Sequence, residues 1–214
     1  MTRKALIAIA ALIPLVMIAI ALVSLPEPDF EVVAEGDGFE LRRYSPFTVA
    51  EVQVSADFEH ASKRAFRPLV GYIQGGNRGG RNLPMMAPVN QQPLDEASAS
   101  APTATAAQRA WRVQFVMPKE YPLSYLPTPA DERVSLQRLP TRLMAARRYR
   151  GGWDEARYRE QEAALLEALA ARGATIIGAP IFARYNAPFV PGFLRRNEVL
   201  VEVADEGSAP FARD

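Results

Sequence analysis

Apolar and polar positions along this chain switch between a period of two and a period near 3.6, and the switches lay out its elements. Asp29 to Ala34 predicts a first strand, turned by Gly36-Asp37-Gly38 into a second from Phe39 to Tyr44. Phe47 to Val54 alternates Val49, Glu51 and Gln53 with Ala50, Val52 and Val54, as a strand with one wet face does. Phe58, Ala61, Ala65, Leu69 and Tyr72 then recur at helical spacing, behind Ser55 or Asp57 as a cap. Pro68 inside that helix removes a backbone donor and predicts a kink. The glycine-rich stretch from Gly75 to Gly80 ends the helix as a mobile loop. It follows a helix and precedes a strand, the reverse of a dinucleotide-binding context.

Leu83 to Val89 starts another strand, at an edge or bulge because of its prolines. Residues 91–110 fall to Ala, Ser, Thr, Pro and Gln and predict a disordered insertion. Trp111 to Met117 resumes the sheet, and Pro118 to Asp131 is a proline-rich crossover. Strands follow at Arg133 to Leu139 and Leu143 to Tyr149, then a Gly151-Gly152 turn and a helix capped by Asp154. Tyr158, Leu165, Leu166 and Leu169 give that helix its buried face, and Gly173 ends it. Ile176 to Tyr185 and Val199 to Val203 close the series.

The second half repeats the first. Laid 95 residues apart without a gap, Leu41 pairs with Leu136, Arg43 with Arg138, Ala50 with Ala145, Phe58 with Trp153 and Ala61 with Ala156. An Ala-Pro-aliphatic triplet also recurs, as Ala87-Pro88-Val89 and Ala179-Pro180-Ile181. The unit reads β-β-α-β-β, used twice after one extra strand. Neither unit can bury its sheet alone, so the two are expected to close on one another.

Composition changes this picture at three points. An unbroken apolar run from Ala5 to Val23, behind Arg3 and Lys4, is long enough to cross a bilayer. It reads as an N-terminal transmembrane anchor over residues 1–25 or as a cleaved signal, with Ala19-Ile20-Ala21 as a cleavage site. Positive charge before it and acids after it predict a folded domain, residues 26–205, on the periplasmic side, with a flexible tail at 206–214. Beyond residue 25 there are 23 basic and 24 acidic side chains, which leaves no basic footprint for nucleic acid. With no cysteine and a single histidine, His60, the chain excludes disulfides, thiol catalysis and covalent c-type heme, and it shows no established catalytic motif.

Five segments together resemble the SOUL/heme-binding protein family: FELRRY at 39–44, residues 54–77, MMAPV at 85–89, FVMPKEY at 115–121 and FARYNAPFVPGFLRRNEVLVEV at 182–203. The resemblance implies an α+β fold, a distorted antiparallel β-barrel with two outer helices. It also implies non-covalent binding of heme or another tetrapyrrole, without catalysis. Some family members carry a histidine, proposed as an iron ligand, where this chain has Arg43, so that ligand does not carry over.

His60 is the substitute metal ligand that the residues offer, with Lys63 and Arg67 at i+3 and i+7 as partners for two propionates. The alternative is a solvated helix residue. Met85, Met86, Tyr72 and Tyr185 are further donors better suited to core packing. Phe189, Val190 and Phe193 followed by Arg195 and Arg196 combine apolar surface with guanidinium, as a flat macrocycle with anionic edges requires. Paired β-β-α-β-β units also resemble GyrI-like domains that sense cationic amphiphiles through a buried glutamate. Glu198 is the equivalent in this chain.

Overall fold

The computed structural model describes residues 25–94 and 109–205. The anchor or signal segment, most of the insertion and the tail lie outside the described residues. Nine described strands form one curled antiparallel sheet. They are β1 (Phe30–Gly36), β2 (Phe39–Tyr44), β3 (Phe47–Ser55), β4 (Val89–Pro93), β5 (Ala110–Val116), β6 (Ser135–Leu139), β7 (Arg142–Arg150), β8 (Ile176–Arg184) and β9 (Arg196–Val203). Helix α1 (Phe58–Ile73) follows β3 and α2 (Glu155–Ala171) follows β7. The order across the sheet is β1-β2-β7-β9-β8-β4-β5-β3-β6. Both units therefore share a single open half-barrel whose edges are β1 and β6.

That order is the signature of the repeat. Set β1 aside, exchange each strand of the first unit with its counterpart in the second, and the order reads backwards, with the pseudo-twofold axis between β4 and β8. The register obeys the same symmetry: Leu41 lies opposite Ala145 and Leu136 opposite Ala50. The 95-residue offset holds to the ends of β3 and β7, at Ser55 and Arg150.

It fails at the helices. Gly151 and Gly152 lengthen the second connection, so the caps, Asp57 and Asp154, stand 97 residues apart. Phe58 and Ala61 are therefore not the counterparts of Trp153 and Ala156. With the longer step Ala61, Ala65, Pro68 and Tyr72 align with Tyr158, Glu162, Leu165 and Leu169, all buried. The Ala-Pro triplets are not equivalent either. Val89 packs on the helix side of the sheet and Ile181 on the opposite side.

Alternation within the strands sorts three apolar layers. Ala50, Val52, Val113 and Phe115 pack under α1, and Leu41, Ala145, Val199 and Val201 under α2. Tyr44, Met144, Ile181 and Leu200 lie on the face away from the helices. Phe58, the first residue of α1, joins the two helix layers. Its ring stacks 5.2 Å from Tyr158 and 5.4 Å from Phe182, and meets Trp111 edge-on at 5.6 Å. Each helix starts on an aspartate whose side chain accepts a backbone N–H, from His60 in α1 and from Arg157 in α2. Gly173, just past α2, has φ of 66°, the left-handed value its role requires.

Helix α1 runs from Phe58 to Ile73 with Pro68 inside it. Two expectations are corrected in the first unit. The chain from 83 to 88 is not strand, and β4 begins only at Val89. Gln91, Gln92 and Pro93 belong to β4 rather than to the insertion, because Gln91 is buried and donates to the Phe58 carbonyl at 2.8 Å. The glycine-rich loop is pinned by buried Asn77, which donates to the Tyr72 and Arg81 carbonyls and accepts the Arg81 N–H.

Candidate functional site

One flank of α1 stays uncovered. Its sheet-facing stripe is Ala61, Ala65, Leu69 and Tyr72, while Ser62, Phe66, Val70 and Ile73, at i, i+4, i+8 and i+11, form a second stripe beside it. That second stripe is one wall of a groove of about 990 Å³. Met85, Met86 and Val89 supply another wall, and a third is built from Trp153 and Asp154 with the chain from Arg184 to Phe189. Leu25, the first described residue, stands at the rim. Phe66 is 42% exposed and Phe189 56% exposed, an unusual state for two rings that border one cavity.

Lys63 lines this groove and Arg67 does not. His60 lies outside it too, with its side chain 57% exposed and Nδ1 2.8 Å from both oxygens of Asp57. The carboxylate is doubly held there, by the His60 backbone N–H first and the ring second, and its pKa is lowered. Of the segment from 189 to 196, only Phe189 reaches the groove. Val190 is buried beneath the loop, and Phe193 points from a short turn into solvent. Arg195 donates to the Val190 and Pro188 carbonyls, each at 2.7 Å, and lies 4.2 Å over the Trp153 ring. It thus fixes the loop that carries Phe189. Arg43, at the position of the family histidine, pairs with Asp205.

Arg196 and Glu198 sit in a separate place. Glu198 is fully buried and takes two hydrogen bonds from Arg42, at 2.7 and 3.1 Å, two from Arg196, at 2.8 and 3.1 Å, and one from the Tyr185 hydroxyl at 2.6 Å. Arg42 continues to Glu40 and Arg196 to Glu27. Burial alone would raise the Glu198 pKa. The hydrogen bonds and charge of Arg42, with Arg196 behind them, outweigh it and hold the carboxyl below its usual range. A small cavity on this face, between Tyr44, Asn90 and Arg142, holds about 10 Å³, room for one water.

Sequence reasoning passed over Arg184, the most unusual group in the groove. It ends β8 two residues after Phe182 and so shares that residue's helix-facing side. Nη2 donates to the Ser62 hydroxyl and to Gln91 Oε1, the latter at 3.2 Å, while Ser62 donates to the same Gln91 oxygen. The guanidinium lies 5.4 Å from the Trp153 ring centre, and burial lowers its pKa to about 10. Strand alternation was the signal that could have marked it.

Among solved structures, the chain is similar to the C-terminal domain of EcmrR, at 10% identity over 80% of this chain and 98% of that one, with a TM-score of 0.59. An uncharacterised conserved protein from Listeria innocua matches at 10% identity over 85% and 94%, with a TM-score of 0.58. A protein described as a hydrolase from the same organism matches at 10% identity over 86% and 94%, with a TM-score of 0.51. At such identities these likenesses concern the fold alone. A search of curated proteins finds no match in sequence. The model of one family, described as SOUL heme-binding protein, matches residues 25–202, from the rim of the groove through both helices into β9. The chain is therefore a member of the SOUL heme-binding protein family.

Proposed function

We propose that this domain binds heme or a related tetrapyrrole non-covalently in the groove beside α1, to sequester or hand it over without chemical turnover. The observation that carries the reading is the groove itself. Its volume of about 990 Å³ lies at the upper end of the range for small-molecule sites, roughly 300–1,000 Å³. Its walls are mostly apolar, and beside two lining acids, Glu59 and Asp154, the cations Lys63 and Arg184 face the acidic edges of such a ligand. Membership of a heme-binding family supports the same ligand class. With no cysteine, the macrocycle is held without a thioether.

His60 is not assigned as the iron ligand in this reading, because its ring is directed to Asp57 and outside the groove. Met85 and Met86 serve as apolar wall. The N-terminal apolar run would hold the domain on the outer side of the cytoplasmic membrane, with Leu25 at the groove rim. Hemin titrated into the purified protein is expected to give a saturable Soret change near 1:1. A featureless, non-saturating response would sink the proposal.

A second reading, a sensor of cationic amphiphiles using Glu198, rests on the full burial of that carboxylate, and the fold likeness to the EcmrR C-terminal domain is consistent with it. It requires a ligand cation to displace Arg42 or Arg196 from Glu198. A rise in melting temperature with such an amphiphile, lost in Glu198→Gln, would favour it over the first.

A further inference from the structure

The groove contains a guanidinium that no carboxylate among the described residues neutralises. Arg42, Arg112, Arg142, Arg159 and Arg196 each pair with a glutamate. Arg184 differs. Its hydrogen-bond partners, Ser62 and Gln91, are both neutral, and no acid forms an ion pair with it among the described residues. Its Nε is buried without a hydrogen-bond partner, as in Arg109 and Arg142, but those two guanidiniums each reach a glutamate as well. Two acids do line the groove, Glu59 and Asp154. Asp154 is already committed to the cap of α2, where it accepts the Arg157 N–H at 2.9 Å.

A desolvated cation with an unused donor is costly in a free protein and becomes favourable when an anion arrives. Burial lowers the Arg184 pKa only to about 10, so the group stays charged at neutral pH. Ser62 and Gln91 hold its Nη2 edge, and the Trp153 ring lies beside it at 5.4 Å, so the fork is oriented before any ligand enters. From this cation the groove continues as apolar wall, along Phe66, Val70 and Met85.

We propose that Arg184 receives a carboxylate of the groove's ligand, so that the site selects a large apolar acid held by its acidic edge at the end of β8. This rests on the groove being the binding site, and it adds the ligand's chemical class and orientation. A macrocycle bound this way keeps one acidic edge inside, rather than presenting all its acids to solvent beside Lys63.

The test compares metal-free protoporphyrin IX with its dimethyl ester by fluorescence titration of the whole protein. The diacid is expected to bind roughly 10–100-fold more tightly, the range for a hydrogen bond to a charged group. Arg184→Gln should bind both probes alike, at the ester's affinity, whereas Lys63→Gln should keep most of the preference. Equal binding of the two probes by the unaltered protein overturns the proposal and leaves the groove reading standing. The same holds if Arg184→Gln retains the preference. Saturable binding of neither probe overturns both. The probe comparison on the unaltered protein needs no substitution, so it decides the matter whatever the variant's stability.

Discussion

Nδ1 of His60 stands 2.8 Å from each carboxylate oxygen of Asp57, the residue that caps α1. The only imidazole in the chain is thus bound into a helix cap at the surface and turned from the groove. His60→Ala is expected to leave the heme absorption spectrum unchanged and the dissociation constant within about twofold. Spectral titration of the variant checks this. A lost or shifted Soret band would return His60 to the role of ligand.

The buried network around Glu198 predicts a stability effect instead. Arg42 is only 2% exposed, and Glu198→Gln would remove its buried carboxylate partner and leave it with the part-exposed Glu40. Breaking one side of a buried ion pair costs about 3–5 kcal/mol. Urea unfolding should show that loss as a lower midpoint with an unchanged slope.

The same carboxylate gives the stability curve a pH dependence of known sign. Its folded pKa is depressed, so its contribution is fully present above the unfolded value, about 4.3 for glutamate. It is lost as pH falls through the folded value. Glu162 runs the other way: burial raises its pKa, with Arg159 only partly offsetting, so its charging opposes folding as pH rises. The stability gap between the unaltered protein and Glu198→Gln should therefore narrow as pH falls below about 4. Urea midpoints measured across this range provide the check.

Phe58 is expected to be the most sensitive apolar position in α1, because it contacts three other aromatic rings where both helix layers meet. Phe58→Ala should cost about 3–5 kcal/mol. Phe66→Ala, at a ring half in solvent, should cost far less stability and instead weaken ligand binding.

The sheet was largely legible in the sequence because strand alternation and turn chemistry are local signals. The pairings Leu41 with Leu136 and Ala50 with Ala145 survive as true counterparts in the register. The helices were misaligned by two residues, since Gly151 and Gly152 lengthen a connection without disturbing the periodic pattern on either side. The start of β4 was missed because Leu83 to Ala87 is as apolar as a strand. The groove was harder to see. A helical wheel places Lys63 and Arg67 beside His60, but which flank of α1 meets the 85–89 segment is set by distant packing. Arg184 sits on the same strand face as Phe182 and was readable from parity alone.

Heme binding in the groove is tested most directly by filling it. Val70 lies on the uncovered flank of α1, and Val70→Trp places a large side chain where the macrocycle would lie. In hemin titrations the unaltered protein should saturate near one equivalent. Val70→Trp, with its thermal melt little changed, should bind at least about tenfold more weakly, about 1.4 kcal/mol. Equal, saturable binding by both proteins would contradict the assignment of the groove, and linear uptake by both would contradict heme binding itself.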